Sequence, residues 1–338
     1  MLSPISTGLL AYGMSGRVFH GPFVALNVGF DLKAVVERSQ KKAHLDFPGI
    51  TSYDAVDELL KDASIELVIV NTPPATHFEL AEKALLAGKH VLVEKPIAIS
   101  LAEVSALYNI ARANGKHLFV YQNRRWDSDF LSLKKVIDSG RLGQLIEVHL
   151  RFDRYKAALS AKLFKETKGV PGNGLVYDLG PHLIDQAISL FGRPLSFSKT
   201  TGIYRENSEV IDYFHIHLKY PGQLNVFLTS GLLIAQPTPS FVAHGTLGSF
   251  QKNRVDVQES QLEQSIWPND PQYGFEPDGE EGILTTIDQD GNKLVEFIPS
   301  DRGNYMGLFN AVHHTMREHA LYPITEEHIA WQMEIVAG

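Results

Sequence analysis

The sequence predicts two domains: a doubly wound α/β domain with a parallel sheet, then an α+β domain built on a large, mostly antiparallel open sheet. Three observations carry that reading. In the first third, apolar strand runs alternate with helical spacing, the pattern of a parallel sheet with helices on its faces. After about Gln122 this alternation stops, and between roughly 195 and 300 strands are separated by Gly, Pro and Asn signals. The chain has 338 residues, enough for two cores, so residues 1–122 are assigned to the first domain and 123–338 to the second.

Element by element, Ile5 to Ala11 reads as a strand and Ser15 to Leu26 as a helix, followed by strand Leu32 to Glu37 and a short helix Asp54 to Lys61. Leu67-Val68-Ile69-Val70 is a continuous apolar run, expected of a parallel strand buried on both faces. Helix Thr76 to Ala87 stops at Gly88, a glycine where a helix C-terminus wants one. Strand His90 to Glu94, helix Ser100 to Asn114 and strand Leu118 to Tyr121 complete the first domain. In the second, helices are expected at Asp129 to Ser139 and Tyr177 to Phe191, and two more from about Tyr305 and Glu326. Asp212 to Tyr220 alternates: Phe214, Ile216 and Leu218 on one face, Tyr213, His215 and His217 on the other. One face therefore rests on a core. The other face has two readings, cover by another subunit or plain solvation.

Composition excludes several classes. The formal charge is −8 with no basic patch, so no nucleic-acid partner is expected. There is no cysteine, which removes disulfides, thiolate metal sites and cysteine nucleophiles. Met1 to Ser6 lacks a basic n-region, and no apolar run approaches the roughly 18 residues of a membrane span. A cytoplasmic protein with no membrane partner is the expectation. Fourteen histidines raise the question of a metal, but His215 with His217 and His313 with His314 offer no evident third ligand, and no metal is assigned.

The first strand runs into Ala11-Tyr12-Gly13-Met14-Ser15-Gly16 and a helix, a G-x-G-x-x-G fingerprint with alanine first. Its chemistry is a tight turn, a close approach of backbone to pyrophosphate at Gly13, close helix packing at Gly16 and a helix N-terminus for the phosphate charge. The alternative is a structural glycine turn in another α/β fold. The second strand ends in Glu37-Arg38. A carboxylate there suits ribose hydroxyls and NAD, whereas arginine suits a 2′-phosphate and NADP. Either cofactor is admitted, and Glu37 tips the reading to NAD.

Further motifs follow in order: Asn71-Thr72-Pro73-Pro74-Ala75-Thr76-His77, Glu94-Lys95-Pro96, and Asp178-Leu179-Gly180-Pro181-His182-Leu183-Ile184-Asp185. T-P-x-x-x-H, E-K-P and D-x-G-x-H-x-x-D in this succession resemble the Gfo/Idh/MocA oxidoreductases. Tyr121 to Leu131 and Asp212 to His215 resemble the NADP-dependent scyllo-inositol dehydrogenase branch in particular. Three departures stand out: Ala11 for the usual first glycine, Glu37 where the NADP-using relatives tend to carry a small polar residue, and Phe164-Lys165-Glu166 where close relatives commonly carry Trp-Arg-Glu. The resemblance implies that Asn71, Thr72, Pro73, His77 and Glu94 line the cofactor and that Asn123 reaches its nicotinamide end. It also implies that Arg124 and Trp126 shape a substrate pocket, although an interdomain structural role fits Trp126 equally well.

Hydride transfer at an alcohol carbon needs a held nicotinamide, a base for the hydroxyl proton and a donor for the developing oxygen. Lys95, at the C-terminal end of a strand where open α/β sheets place ligands, suits the donor role, against the alternative of a surface lysine before a loop proline. Asp178 and His182 lie four apart on an expected helix, a spacing that sets Cβ atoms about 5–6 Å apart. His182 is read as general acid or base and Asp178 as its orienting or substrate-binding carboxylate, against a helix N-terminal pair with no catalytic part. Asp185 is a polar partner or a structural one, and Tyr155 is a candidate hydroxyl ligand. The resulting expectation is an NAD(P)-dependent dehydrogenase acting on a polyol, inositol or sugar, assembled as a homodimer or homotetramer through its second sheet. Competing readings are an NAD-dependent glycoside hydrolase on the same fold and a dinucleotide-sensing regulator. Intact Lys95, Asp178 and His182 speak against the regulator.

Overall fold

Leu67–Val70 is buried to the last atom, as its uninterrupted apolar sequence requires of a strand covered on both faces. It is the fourth of six strands in a parallel sheet: β1 (Ile5–Leu9), β2 (Phe30–Val36), β3 (Thr51–Tyr53), β4 (Leu67–Val70), β5 (His90–Glu94) and β6 (Leu118–Tyr121). Their order, β3-β2-β1-β4-β5-β6, reverses direction of progress between β1 and β4, the crevice where doubly wound sheets bind dinucleotides. The structure is a computed structural model describing residues 3–161 and 166–338. The short edge strand β3 has no apolar run and escapes sequence reading.

The second sheet has eight strands: β7 (Leu145–Arg151), β8 (Ser196–Gly202), β9 (Tyr213–Lys219), β10 (Asn225–Gly231), β11 (Phe241–Gly245), β12 (Gly248–Lys252), β13 (Gly282–Ile287) and β14 (Lys293–Ile298). Their order is β14-β13-β12-β11-β7-β10-β9-β8, and all pairs are antiparallel except β7 with β10. The fold class expected from the sequence is therefore the one observed. Phe214, Ile216 and Leu218 join Val226 and Leu228 in a core capped by Phe130 and Leu133 from helix Ser128–Asp138 and by Leu183 and Ile184 from helix Gly180–Phe191. Tyr213, His215 and His217 face the other way and are half-buried.

The chain forms two compact units. The first comprises Met1–Asn123 together with Gln258–Tyr273 and Tyr305–Ala330; the second comprises Arg124–Val257, Gly274–Asn304 and Trp331–Gly338. The two later segments belong with the first unit for apolar reasons. Phe23 stacks on Phe309 at 5.2 Å and lies 6.3 Å from the Tyr305 ring and 6.3 Å from that of Tyr273.

Two helices expected whole are each divided at a proline. Ser15 to Leu26 becomes a wide π-type turn, Ser15–His20, followed by helix Gly21–Leu26. Pro22 has no N–H to continue the ladder, and the Gly21 N–H reaches back five residues to the Gly16 carbonyl. Likewise Tyr177 to Phe191 becomes Leu175–Asp178 and Gly180–Phe191, with Pro181 in the first turn of the second piece. Among the described residues no helix is long and apolar enough to cross a membrane.

Candidate active site

The dinucleotide turn is held from below by Asn71, at the end of β4. Its side chain accepts from the Ala11 N–H at 3.0 Å and donates to the Ala11 carbonyl at 2.8 Å, so alanine in the first fingerprint position is clamped on both sides. A Cβ at Gly16 would lie 2.2 Å from the Ala11 carbonyl oxygen, which makes glycine obligatory there. At Gly13 the same construction meets nothing within 4 Å, leaving open the side from which a pyrophosphate approaches. The first helical hydrogen bond is Arg17 N–H to the Gly13 carbonyl at 3.0 Å, so the Met14, Ser15 and Gly16 amides precede the helical ladder and suit an anion. This turn fits a dinucleotide. Tyr12 turns its side chain away, donating to Asp46 at 2.6 Å; burial and that carboxylate push its hydroxyl pKa up.

Glu37 follows β2 directly, with its carboxylate engaged by the chain. It is 6% exposed, and three donors of the chain converge on it: the Lys42 N–H at 2.7 Å, the Ala43 N–H at 3.1 Å and the Ser52 hydroxyl at 2.9 Å. Glu37 braces the turn after β2 from inside, with Oε2 taking the Ser52 hydroxyl alone among the described residues. Arg38, the next residue, is exposed and forms no ion pair among the described residues.

At the neighbouring strand ends, the His77 ring ties two motif turns together. Its nitrogens lie 2.7 Å from the Pro96 carbonyl and 2.7 Å from the Thr72 carbonyl, with the ring 1% exposed. Thr72 and Pro73 are fixed further by Thr76, whose hydroxyl meets Thr72 Oγ1 at 2.7 Å and donates to the Pro73 carbonyl at 2.8 Å. Lys95 follows β5 directly. Its backbone N–H donates to Glu94 Oε2 at 3.3 Å, and Glu94 Oε1 takes the Ser15 hydroxyl at 2.8 Å and meets His20 Nε2 at 2.9 Å. Burial pushes Glu94 up, but His20, Ser15 and Lys95 outweigh it and hold the carboxyl below its ordinary range. Asn123 is buried just beyond β6. Sequence reading missed His20 altogether. The signal was present: a histidine followed by Gly21-Pro22 inside an expected helix, where the proline forces a wider turn.

In the second unit, the break at Leu179 separates the D-x-G-x-H pair. Asp178 ends one short helix and is exposed; His182 lies in the first turn of the next and is 5% exposed. The interruption is slight, for Leu179 itself keeps right-handed helical torsions at φ −102° and ψ −22°. Gly174 opens this segment at φ +89°, with the Ile211 backbone 3.3 Å from any Cβ, so only glycine fits. Asp185 is structural: both its oxygens take Arg125 at 2.8 Å in a buried bidentate pair. Arg124 lies 3.4 Å from buried Asp127 and 5.0 Å over the Phe152 ring, which Arg154 and Arg254 also flank. The Trp126 carbonyl accepts from the Asn304 N–H, and Tyr155 is 65% exposed at a bridge to Leu233. Phe164 and Lys165 lie outside the described residues. Glu166, beside them, is bound internally by Arg205 at 2.7 Å and the Ser160 N–H at 2.8 Å. A third donor does join His313 and His314: Glu318, one turn on, brings three candidate ligand atoms within 4.8 Å at the helix surface.

A parallel sheet in this strand order, a clamped glycine turn at its crevice and a lysine at the end of β5 define a dinucleotide-dependent oxidoreductase. Comparison with known proteins agrees. The oxidoreductase family with NAD-binding Rossmann fold matches residues 5–122, and the GFO/IDH/MocA C-terminal domain matches residues 130–251. The chain belongs to the GFO/IDH/MocA oxidoreductase family. It is 43% identical to an oxidoreductase of Schizosaccharomyces pombe, over 92% of this chain and 89% of that protein. It is 36% identical to scyllo-inositol 2-dehydrogenase (NADP(+)) IolW of Bacillus subtilis, over 96% of this chain and 89% of that protein. Among solved structures, an oxidoreductase from Bacillus cereus superposes with a TM-score of 0.90 at 31% identity, covering 98% of this chain and 95% of that one.

Proposed function

We propose that the protein moves a hydride between NADP and a secondary alcohol or ketone carbon of a cyclic polyol, with scyllo-inositol as the reference substrate. The observation that carries the proposal is Lys95 directly after the carboxyl end of β5, where its neighbour Glu94 takes both the Lys95 N–H and the Ser15 hydroxyl of the Ala11–Gly16 turn. The bound nicotinamide supplies the hydride acceptor or donor. Everything else falls to the chain. Lys95 donates a hydrogen bond to the substrate oxygen and stabilises charge developing there. His182 takes or returns the hydroxyl proton, and Asp178 orients substrate or imidazole. Arg124, Trp126 and Tyr155 are assigned to the substrate, and Asn123 to the nicotinamide end. The choice of NADP rests on exposed Arg38, a group suited to a 2′-phosphate, beside a Glu37 carboxylate already engaged by three donors of the chain. The named cofactor of the Bacillus subtilis relative points the same way.

The test is an absorbance assay of reduced nicotinamide with dialysed protein, NAD and NADP each offered scyllo-inositol, myo-inositol and common sugars. The expected result is NADP reduction with an inositol. Turnover of an aryl glycoside with no net reduction of cofactor would instead identify the glycoside hydrolase.

A further inference from the structure

His20 is the buried group that hydride transfer, as proposed, leaves without a part. Its ring is fully enclosed, 4.4 Å from the Tyr121 ring and 6.2 Å from that of Phe309. Nε2 meets Glu94 Oε1 at 2.9 Å, whereas Nδ1 is buried with no hydrogen-bond partner among the described residues. Glu94 is thus a junction. Oε1 serves both His20 and the Ser15 hydroxyl in the first turn of the phosphate-binding helix, and Oε2 takes the backbone N–H of Lys95. Because Glu94 is held ionised, it is the acceptor and His20 Nε2–H the donor.

Two features separate this arrangement from ordinary packing. A phenyl ring would fill the space between Tyr121 and Phe309 without leaving a buried nitrogen unsatisfied, a state that proteins ordinarily avoid. The backbone also departs from α-helix to place the ring, and π-type turns recur at functional sites. The turn is built in by sequence: Pro22 removes an N–H, and a Cβ at Gly21 would lie 2.9 Å from the Gly16 carbonyl and 2.8 Å from the Phe47 ring.

We propose that His20 is a positioning residue for hydride transfer: by holding Glu94, it fixes the Lys95 main chain against the dinucleotide turn. The inference rests on the reading of Lys95 given above. Its test compares His20→Phe with His20→Gln, which keeps an N–H near the Nε2 position. With NADP and scyllo-inositol as probes, His20→Phe lowers kcat about ten- to a hundredfold, the worth of one hydrogen bond to a charged group. KM and the Kd of NADP stay within about threefold, and the deuterium isotope effect on kcat rises. His20→Gln recovers kcat to within about threefold. Wild-type kcat in the Phe variant, or a loss that Gln does not repair, overturns the proposal. Should His20→Phe not fold, Glu94→Gln keeps the shape, removes the charge and is expected to show the same loss of kcat. The same variants are read without substrate through labelling of Lys95 by trinitrobenzenesulfonate, followed by peptide mass spectrometry. The rate at Lys95 changes by about threefold or more in His20→Phe and reverts in His20→Gln, while exposed Lys42 reacts as in wild type. Unchanged labelling overturns the proposal. Silence on scyllo-inositol with altered labelling counts against the substrate alone.

Discussion

Three donors on the Glu37 carboxylate make this residue, of a type that usually marks NAD, also a brace for the loop carrying Arg38. Position along a strand tells which residue ends near a ribose, but not whether its oxygens face the ligand or the chain. Ser52, one of the donors, sits on the edge strand that sequence reading missed. The opposite holds for Gly16, where a contact of 2.2 Å from Cβ to backbone bears out the close packing inferred from the fingerprint alone. Arg38 carries the prediction at this scale. Arg38→Ala raises the KM for NADP by about tenfold or more, since a charge-assisted hydrogen bond contributes about 1.5–3 kcal/mol, and leaves that for NAD within about twofold. Steady-state kinetics with both cofactors checks it, and equal effects on the two would remove Arg38 from the 2′-phosphate.

Elements were legible where periodicity or composition is strong and illegible where a single missing N–H reshapes a helix. The apolar run of β4 and the alternation of β9 needed no structure. Pro22 and Pro181 stood in plain view, yet their consequences depend on which carbonyl the freed backbone finds. The strand pair β5 and β6 adds a pH dependence of its own. His90 opens β5, its ring stacks on His117 at 5.2 Å, and its Nδ1 accepts the His117 N–H at 3.0 Å. Burial, with the charges of His117 and Lys116, lowers its pKa from 6.5 to about 4. The unfolded chain therefore binds the extra proton between those values. Its contribution to stability is complete above the unfolded value and declines as pH falls toward the folded one. After allowance for solvent screening this amounts to about 1–2 kcal/mol. Denaturant unfolding of wild type and His90→Gln at about pH 7 and about pH 5 measures it. The variant loses less stability on acidification; parallel losses would exclude His90 as the source.

At the scale of the molecule, the division into units follows long-range apolar contact, which one sequence does not display. Phe309 and Phe23 pack face to face from opposite ends of the chain. The order of the motifs, by contrast, was enough to place the family. The open face of the second sheet bears a plate of rings, with Phe227 lying 4.6 Å from His217, 5.0 Å from His149 and 5.6 Å from His215. We propose that a second copy of the chain covers it. Light scattering at micromolar concentration is expected to give a dimer or tetramer for wild type and a smaller species for Phe227→Glu, and a wild-type monomer would refute the assignment. The central claim is hydride transfer assisted by Lys95, and its most direct measurement is kcat of Lys95→Met with NADP and scyllo-inositol beside the Kd of NADP. The account predicts a fall in kcat of about a hundredfold or more, the usual worth of one donor to a developing oxyanion, with cofactor binding unchanged. Undiminished turnover in Lys95→Met would contradict it.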